Sequence, residues 1–255
     1  MGGAETLVVN LIPRLQALGN TVDLCIFNGK ETPLTQRLRK EGPQTKIYAL
    51  GHGVYNPPYI LKLIKIMRNY DIVHTHNSSP QLFVAIANLF CSKELVSTEH
   101  TTSNRKREWK WYAPIESWMY GQYNHVICIS QIAEDKLREY MGGVWLDKTN
   151  PRYKQISTIN NGVDVKAISD ATPDNALLSL KEQRKAILMV AGFRDAKDQD
   201  TVIKGLGLLN NNDFEVWFAG VGIRQKIVKQ LAESLGVSDR VRFLGLRTDI
   251  PNVLR

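Results

Sequence analysis

Residues 71–100 read DIVHTHNSSPQLFVAIANLFCSKELVSTEH, and this stretch decides the fold. DIVHTH (71–76) is a short run of strand type. PQLFVAIANLFC (80–91) is apolar and of helix length. ELVSTEH (94–100) is a second short strand run. Two short strands joined by a helix read as a parallel pair with a crossover, because parallel strands need a connection of about a dozen residues or more. The same rhythm continues toward the N-terminus. A helix is predicted over 4–18, with Leu7, Val8, Leu11, Leu15 and Leu18 on one face and Gly19 as its stop. TVDLCIFN (21–28) and KIYAL (46–50) are strands. Between them ETPLTQRLRKEG (31–42) is a helix capped by Thr32, begun by Pro33 and ended by Gly42. PPYILKLIKIMRNY (57–70) is an amphipathic helix. Beyond His100, residues 105–123 are predicted helical and aromatic-rich, HVICIS (125–130) is a buried strand, QIAEDKLREYM (131–141) a helix, and QISTINNGVD (155–164) closes this half.

A polar stretch follows, SDATPDNALLSLKEQRKA (169–186). The alternation then restarts as strand AILMVAG, helix DQDTVIKGLGLL, strand FEVWFAG, helix IRQKIVKQLAESLG and strand VRFLG. Short apolar strands alternating with helices imply α/β architecture with parallel sheets covered on both faces. The break divides the chain into two doubly wound domains, 1–163 and 164–255, the second with only three strands. The chain opens on Gly2-Gly3 and a helix. A Gly-Gly turn into a helix normally has a strand ahead of it, so a first strand is expected to be absent from the N-terminal domain.

Composition narrows the class. With 43% hydrophobic residues and five Trp, 255 residues can bury two cores. No apolar run reaches the roughly 18–20 residues of a membrane span, and the N-terminus has no signal-peptide pattern. Cys25, Cys91 and Cys128 lie scattered in apolar stretches, which suggests reduced core thiols and a cytoplasmic protein. The formal net charge of +8 suits either a generally basic surface or attraction to lipid headgroups, phosphorylated carriers or nucleotides. No zinc-finger spacing or RNP-type motif is present, so nucleic acid is not an expected partner.

In open parallel sheets ligands bind at the carboxyl ends of strands, so the residue after each strand is the candidate. Gly2 and Gly3 open a helix whose N-terminus could hold an anion or simply turn the chain. His74 and His76, at i and i+2, project to one side of their strand. No third ligand is spaced to make them a metal pair, and His76 with Asn77 is placed near a cleft. His100 follows Glu99 and precedes Thr101, Thr102 and Ser103. It is either a packed, satisfied histidine or a donor to a sugar hydroxyl or phosphate. Ser130 is a helix N-cap that could also touch a ligand. Asn161-Gly162 is a turn signal at the domain junction, where a hinge belongs. Arg194 and Lys197 could clamp a diphosphate or form an exposed charged loop. Gly220 and Gly222 allow close approach to backbone, but position 225 is Gln, so the G-x-G-x-x-G fingerprint fails. In residues 104–119, NRKREWKWYAPIESWM, basic and aromatic side chains mix. They suit a membrane surface, or a helix with its Trp and Tyr packed inside.

Taken in order, GGAE, YDIVHTH, STEH, VICISQ, INNGVD, ILMVAGFRDAKDQDTVIKGL, FEVWFAGVG and VRFLGLRTDIPNVL resemble the retaining glycosyltransferases of family four. The resemblance implies the GT-B fold: two Rossmann-like domains, the N-terminal one on the acceptor side and the C-terminal one binding a nucleotide-sugar. It implies a metal-independent transfer from a UDP- or GDP-sugar to a glycan or lipid-linked acceptor, while the peripheral membrane contact is what the basic and aromatic residues 104–119 suggest. It implies roles for Gly2 and Gly3 near the donor phosphates, for His100 at the transferred sugar and for Lys197 on the diphosphate. The family's arginine directly after this strand falls on Gly192, and the nearest arginine is Arg194. The family's Glu-x7-Glu motif belongs after DIPNVL, so the chain is expected to be truncated at both ends and inactive alone. A GT-B nucleotide-sugar epimerase and a non-catalytic nucleotide-sugar-binding module are the alternative expectations.

Overall fold

The computed structural model describes residues 2–102, 104–180, 184–209 and 211–255. The chain forms two compact units, Met1–Gly162 and Val163–Arg255. Both are built from parallel strands and helices, the α/β architecture the alternation predicts.

In the first unit, helix α1 (Gly3–Ala17) leads to strand β1 (Leu24–Asn28), helix α2 (Pro33–Glu41) and strand β2 (Ile47–Gly51). Thr32 caps α2, its hydroxyl accepting from Thr35 N–H at 3.2 Å, with Pro33 at the first helical position and Gly42 at the end. Helix α1 buries Val9 and Ile12, not the leucine stripe, and Leu18 is exposed. The Val9/Ile12 pair packs with Leu38 of α2 into a small core of its own, and so the face one residue over is the one that meets apolar partners. Helix α3 (Tyr59–Met67), strand β3 (Ile72–His76), helix α4 (Ser78–Asn88) and strand β4 (Glu94–Glu99) follow. Ile72 to His76 register with Glu94 to Thr98 in parallel, which is the crossover predicted from residues 71–100.

The predicted helix over 105–123 is only partly helical. Arg105–Glu108 and Lys110–Tyr112 are 3-10 turns separated by Trp109 in extended backbone, and helix α5 covers only Ala113–Gly121. Pro114 stands in the first turn of α5, where its missing N–H costs nothing. Strand β5 (His125–Cys128), helix α6 (Gln131–Met141) and strand β6 (Ile156–Thr158) complete the unit. Strands β3-β4-β5-β6 form one parallel sheet, and β1-β2 form a separate two-stranded one. The main core gathers Leu63, Met67, Ala85, Leu95, Met119 and Val126 from both faces of these strands. Arg138 of α6 is buried. It pairs with Glu134 and donates to the carbonyls of Trp145, Tyr153 and Ile156, tying the segment before β6 to the helix.

The second unit begins with two short helices, α7 (Val165–Ser169) and α8 (Asn175–Leu180), inside the stretch read from sequence as a polar break. Asp164 and Asp174 cap their first turns. Residues 181–183 of that stretch lie outside the described residues. Asn161-Gly162 forms no turn, and Gly162 does not take a positive φ. Strand β7 (Lys185–Val190), helix α9 (Gln199–Leu208), strand β8 (Phe214–Ala219), helix α10 (Gln225–Ser234), strand β9 (Val241–Gly245) and helix α11 (Ile250–Leu254) follow. The three strands are parallel, in the order β7-β8-β9. Phe193, Phe218 and Phe243 meet at centroid distances of 5.6–5.8 Å at the centre of this core.

Candidate active site

The first unit brings three histidines together at the carboxyl ends of β3 and β4. His74 Nε2 lies 2.8 Å from Thr98 Oγ1, and His76 Nδ1 lies 3.0 Å from His100 Nε2. The rings of His74 and His76 are 4.3 Å apart, as same-side projection at i and i+2 requires. Burial, and then the neighbouring His100, pushes the His74 imidazole down to about 4. Burial, then His74 and His100, pushes His76 down to about 3. His100 is also lowered by burial, against the opposing charges of Glu99 and Glu5. All three are therefore neutral at pH 7. A neutral imidazole has one N–H, so in the His76–His100 pair one ring donates and the other accepts. If His76 donates from Nδ1, the His100 proton sits on Nδ1. If His100 donates from Nε2, its Nδ1 is an acceptor. The contact with His76 thus sets which ring nitrogen of His100 carries the proton.

Asn77, directly after His76, holds φ 81° and ψ 148° at the N-cap of α4. A non-glycine residue there costs of order 1–3 kcal/mol, and such strain gathers at functional sites. Ser130 caps α6 by accepting from Ala133 N–H at 3.2 Å. Gly2 and Gly3 neither takes a positive φ, and Gly2 N–H donates to the Glu5 carboxylate at 2.7 Å. The α1 N-terminus therefore already carries an anion of its own chain, and an incoming phosphate must displace Glu5. Ser103 lies outside the described residues.

Sequence reasoning missed the network beneath His100. Glu99 accepts from Gln81 Nε2 at 3.0 Å, from the Tyr120 hydroxyl, and from Arg107 Nη2 at 3.4 Å. Arg107 also pairs with Glu116 at 3.4 Å, and Glu116 is fully buried. Burial, then the Glu99 charge, raises the Tyr120 phenol well above its ordinary value. This network pins the end of β4 to α5. Its local sequence does not mark it: Glu99 stands among Ser97, Thr98, His100 and Thr101, and Glu116 between Ile115 and Ser117. Alongside it, Tyr112 and Tyr120 pack inside, whereas Trp109 and Trp111 are exposed and stack at 5.6 Å and 12°. The reading of this segment with its tryptophans inside is thus corrected: Tyr120 buries with its hydroxyl bonded to Glu99 and Arg107, Tyr112 buries without such a partner, and the indoles of Trp109 and Trp111 remain outside.

In the second unit the candidates gather after β7 and β8. Arg194 and Lys197 are exposed, and among the described residues neither forms an ion pair. Arg224 is already neutralised, by Asp195 at 2.5 Å and Asp200 at 2.7 Å. A Cβ on Gly220 would stand 2.0 Å from the Ala191 carbonyl oxygen, and one on Gly222 2.4 Å from that of Phe193. These glycines therefore serve the close approach of the two strand-end loops. The parallel ladder continues there through Ala191 N–H to Ala219 and Phe193 N–H to Val221. Buried Gln199 donates to the Gly192 carbonyl at 3.1 Å and fixes the loop that carries Arg194 and Lys197. Among the described residues no group of three or more His, Cys, Asp or Glu is arranged to hold a metal ion, and no helix is long and apolar enough to cross a membrane.

This architecture is that of the GT-B glycosyltransferases. Residues 1–167 match the family model Glycosyltransferase Family 4, and residues 173–255 match Glycosyl transferases group 1. The chain belongs to Glycosyltransferase Family 4. Among solved structures it is similar to Anabaena HepE in complex with UDP-glucose, with a TM-score of 0.79 at 17% identity, covering 99% of this chain and 68% of that one. It is similar to sucrose-phosphate synthase from Thermosynechococcus elongatus, with a TM-score of 0.71 at 17% identity over 99% and 67% of the two chains. It is also similar to a putative UDP-N-acetylglucosamine 2-epimerase from Listeria monocytogenes, with a TM-score of 0.60 at 12% identity over 99% and 70%. A search of curated proteins finds no match.

Proposed function

We propose that the protein is a retaining glycosyltransferase that moves a sugar from a UDP- or GDP-sugar to a glycan or lipid-linked acceptor in cell-surface polysaccharide synthesis. The observation that carries this reading is the pair of exposed cations, Arg194 and Lys197, with no ion pair among the described residues, on the loop after β7 of a glycosyltransferase-family chain. In sugar transfer from a nucleotide diphosphate, negative charge grows on the departing phosphates, and donors preorganised for that charge lower the barrier. Arg194 offers a planar fork and Lys197 a point charge. Their charge does the work at the phosphates, so the reading assigns no metal or cofactor, and the nucleotide-sugar is substrate. In the first unit, His100 hydrogen-bonds the transferred sugar, and His76, Asn77 and Ser130 lie on the acceptor side. The proposed transfer does not call for the pair of carboxylates that glycosidase chemistry uses.

The basic chain and the exposed Trp109–Trp111 stack support a peripheral contact with the cytoplasmic face of a membrane, where indoles sit at headgroup level beside cationic side chains. UDP-sugars are the first donors to test, because HepE was solved with UDP-glucose. The decisive experiment titrates this chain, and a version extended at both ends, with UDP, GDP and a panel of their sugars. One nucleotide should bind, and Lys197→Ala should weaken it by about ten- to a hundredfold, the loss of a charge-assisted hydrogen bond. If no nucleotide-sugar binds to either version, the assignment fails. Binding without transfer to any acceptor favours a non-catalytic nucleotide-sugar-binding module.

A further inference from the structure

The segment after β7 reads FRDAKDQD over residues 193–200. It carries two cations, Arg194 and Lys197, and three carboxylates, Asp195, Asp198 and Asp200. A segment with more carboxylates than cations is a poor place to attract an anion. Asp195 is next to Arg194 and two residues from Lys197. Two residues span at most about 7 Å of chain, so Asp195 lies within reach of both long, flexible side chains. Yet among the described residues neither Arg194 nor Lys197 forms an ion pair.

Each carboxylate is held elsewhere. Asp198 accepts from the Thr201 hydroxyl at 2.7 Å. Asp200 stands in the first turn of α9, where the helix dipole favours negative charge, and accepts from Arg224 Nη2 at 2.7 Å. Asp195 accepts from Arg224 Nη1 at 2.5 Å. The helix supports Asp200 with or without Arg224. Asp195 has no such support. It lies on a 3-10 turn with its side chain 83% exposed, and among the described residues Arg224 is its one side-chain partner. Arg224 itself is fixed from both sides. Its N–H meets the Phe193 carbonyl at 3.4 Å, and its carbonyl accepts from Val228 N–H at 3.0 Å as α10 begins. A planar guanidinium can serve two carboxylates at once from separate nitrogens.

We infer that Arg224 is a positioning residue for the cation pair: by holding the Asp195 carboxylate it keeps Asp195 from pairing with Arg194 and Lys197, and so leaves both open to a diphosphate. This rests on the reading that these two cations take the donor's phosphates. Arg224 touches no phosphate in this arrangement, because its guanidinium is committed to two carboxylates, and it acts through Asp195 alone. Without Arg224, Asp195 and an incoming diphosphate compete for the same cations. The pairs that Asp195 would make are exposed, and exposed pairs are weak. The effect is therefore modest in size and specific in origin: it belongs to one carboxylate and disappears with that charge.

The test is a double-mutant cycle on the full chain, with inorganic pyrophosphate and UDP as probes. Binding is followed by calorimetric titration at low ionic strength, where exposed charges count most. Arg224→Met should weaken both probes by about fivefold, the scale of one exposed ion pair. Adding Asp195→Asn should restore most of that loss, because the amide has no charge to offer the cations. Asp195→Asn alone should change affinity by less than about threefold. Arg224→Gln serves in place of Arg224→Met if the methionine variant does not fold. A loss that persists in Arg224→Met/Asp195→Asn makes Arg224 a tether of the loop or a ligand of the anion, and overturns the inference. A gain of about tenfold or more in Asp195→Asn alone means that the freed guanidinium binds the anion itself, and also overturns it. If pyrophosphate follows the expected cycle while UDP binds neither the unaltered chain nor any variant, the inference stands and the donor reading fails. If UDP binds the unaltered chain and Arg224→Met equally well, the donor reading stands and the inference fails. If neither probe binds the unaltered chain, both fail.

Discussion

The carboxyl ends of β3-β4 and those of β7-β8 both present candidate ligand groups, yet they are built in opposite ways. In the first unit the polar groups are sunk into the protein and bonded to one another: histidine to histidine, Glu99 to Tyr120 and Arg107, Arg107 to Glu116. In the second unit the backbone is packed tightly and the cations stand free on an exposed loop. The first arrangement fixes orientation before any ligand arrives. The second leaves positive charge exposed, as the proposed binding of a diphosphate requires. Substitutions should therefore register as lost stability in the first region, and in the second as lost stability at the glycines but lost affinity at the cations.

The largest effect is expected at Arg107. Its side chain is 10% exposed and lies between Glu99 and Glu116, themselves 9% and 0% exposed. Arg107→Met leaves two carboxylates buried without a cation, a change that typically costs about 3–5 kcal/mol. Urea unfolding should show a lower midpoint with an unchanged slope. A loss under about 1 kcal/mol would mean that the network is no more than a surface ion pair. Next is Gly220→Ala, which drives a methyl to 2.0 Å from the Ala191 carbonyl oxygen. Overpacking against backbone costs about 1–3 kcal/mol. It should lower the melting temperature of the second unit, whereas Lys197→Ala, on an exposed side chain, should leave that temperature in place and lower only nucleotide affinity.

The same contrast explains what could be read in the sequence. Strand–helix alternation was legible almost throughout, because apolar period and capping residues such as Thr32, Pro33 and Ser130 are local signals. The histidine pair was legible as far as its shared side, since the i, i+2 spacing fixes that. Its contact with His100 was not, because it depends on the register of β3 against β4. The Glu99–Arg107–Glu116 network spans a strand, a 3-10 turn and a helix, and no spacing rule joins them. Residues 105–112 misled because their composition suits a helix, while extended Trp109 breaks it. Gly220 and Gly222 misled in a different way. They are needed for the backbone of the neighbouring loop, and a sequence does not distinguish that from the backbone of a ligand site.

The effect that sharpens the comparison most is in pH dependence. His74 and His76 have folded-state values pushed down by burial to about 4 and about 3, from the ordinary value near 6.5. Below about pH 6.5 the unfolded chain binds protons that the folded chain refuses, so stability is complete above that pH. It is lost progressively as pH falls toward 4 and then 3. Each unit of that interval costs at most about 1.4 kcal/mol per histidine, less where opening of the site admits water. Denaturant midpoints measured between pH 7 and pH 4.5 should fall steadily. His76→Asn keeps a donor near the Nδ1 position but removes the titrating ring, and it should flatten part of that slope. It should also leave the response of the second unit untouched, since all five histidines of the chain lie in the first unit. An undiminished slope in His76→Asn would place the acid sensitivity elsewhere and would break the picture of His76 as a buried, neutral partner that orients His100.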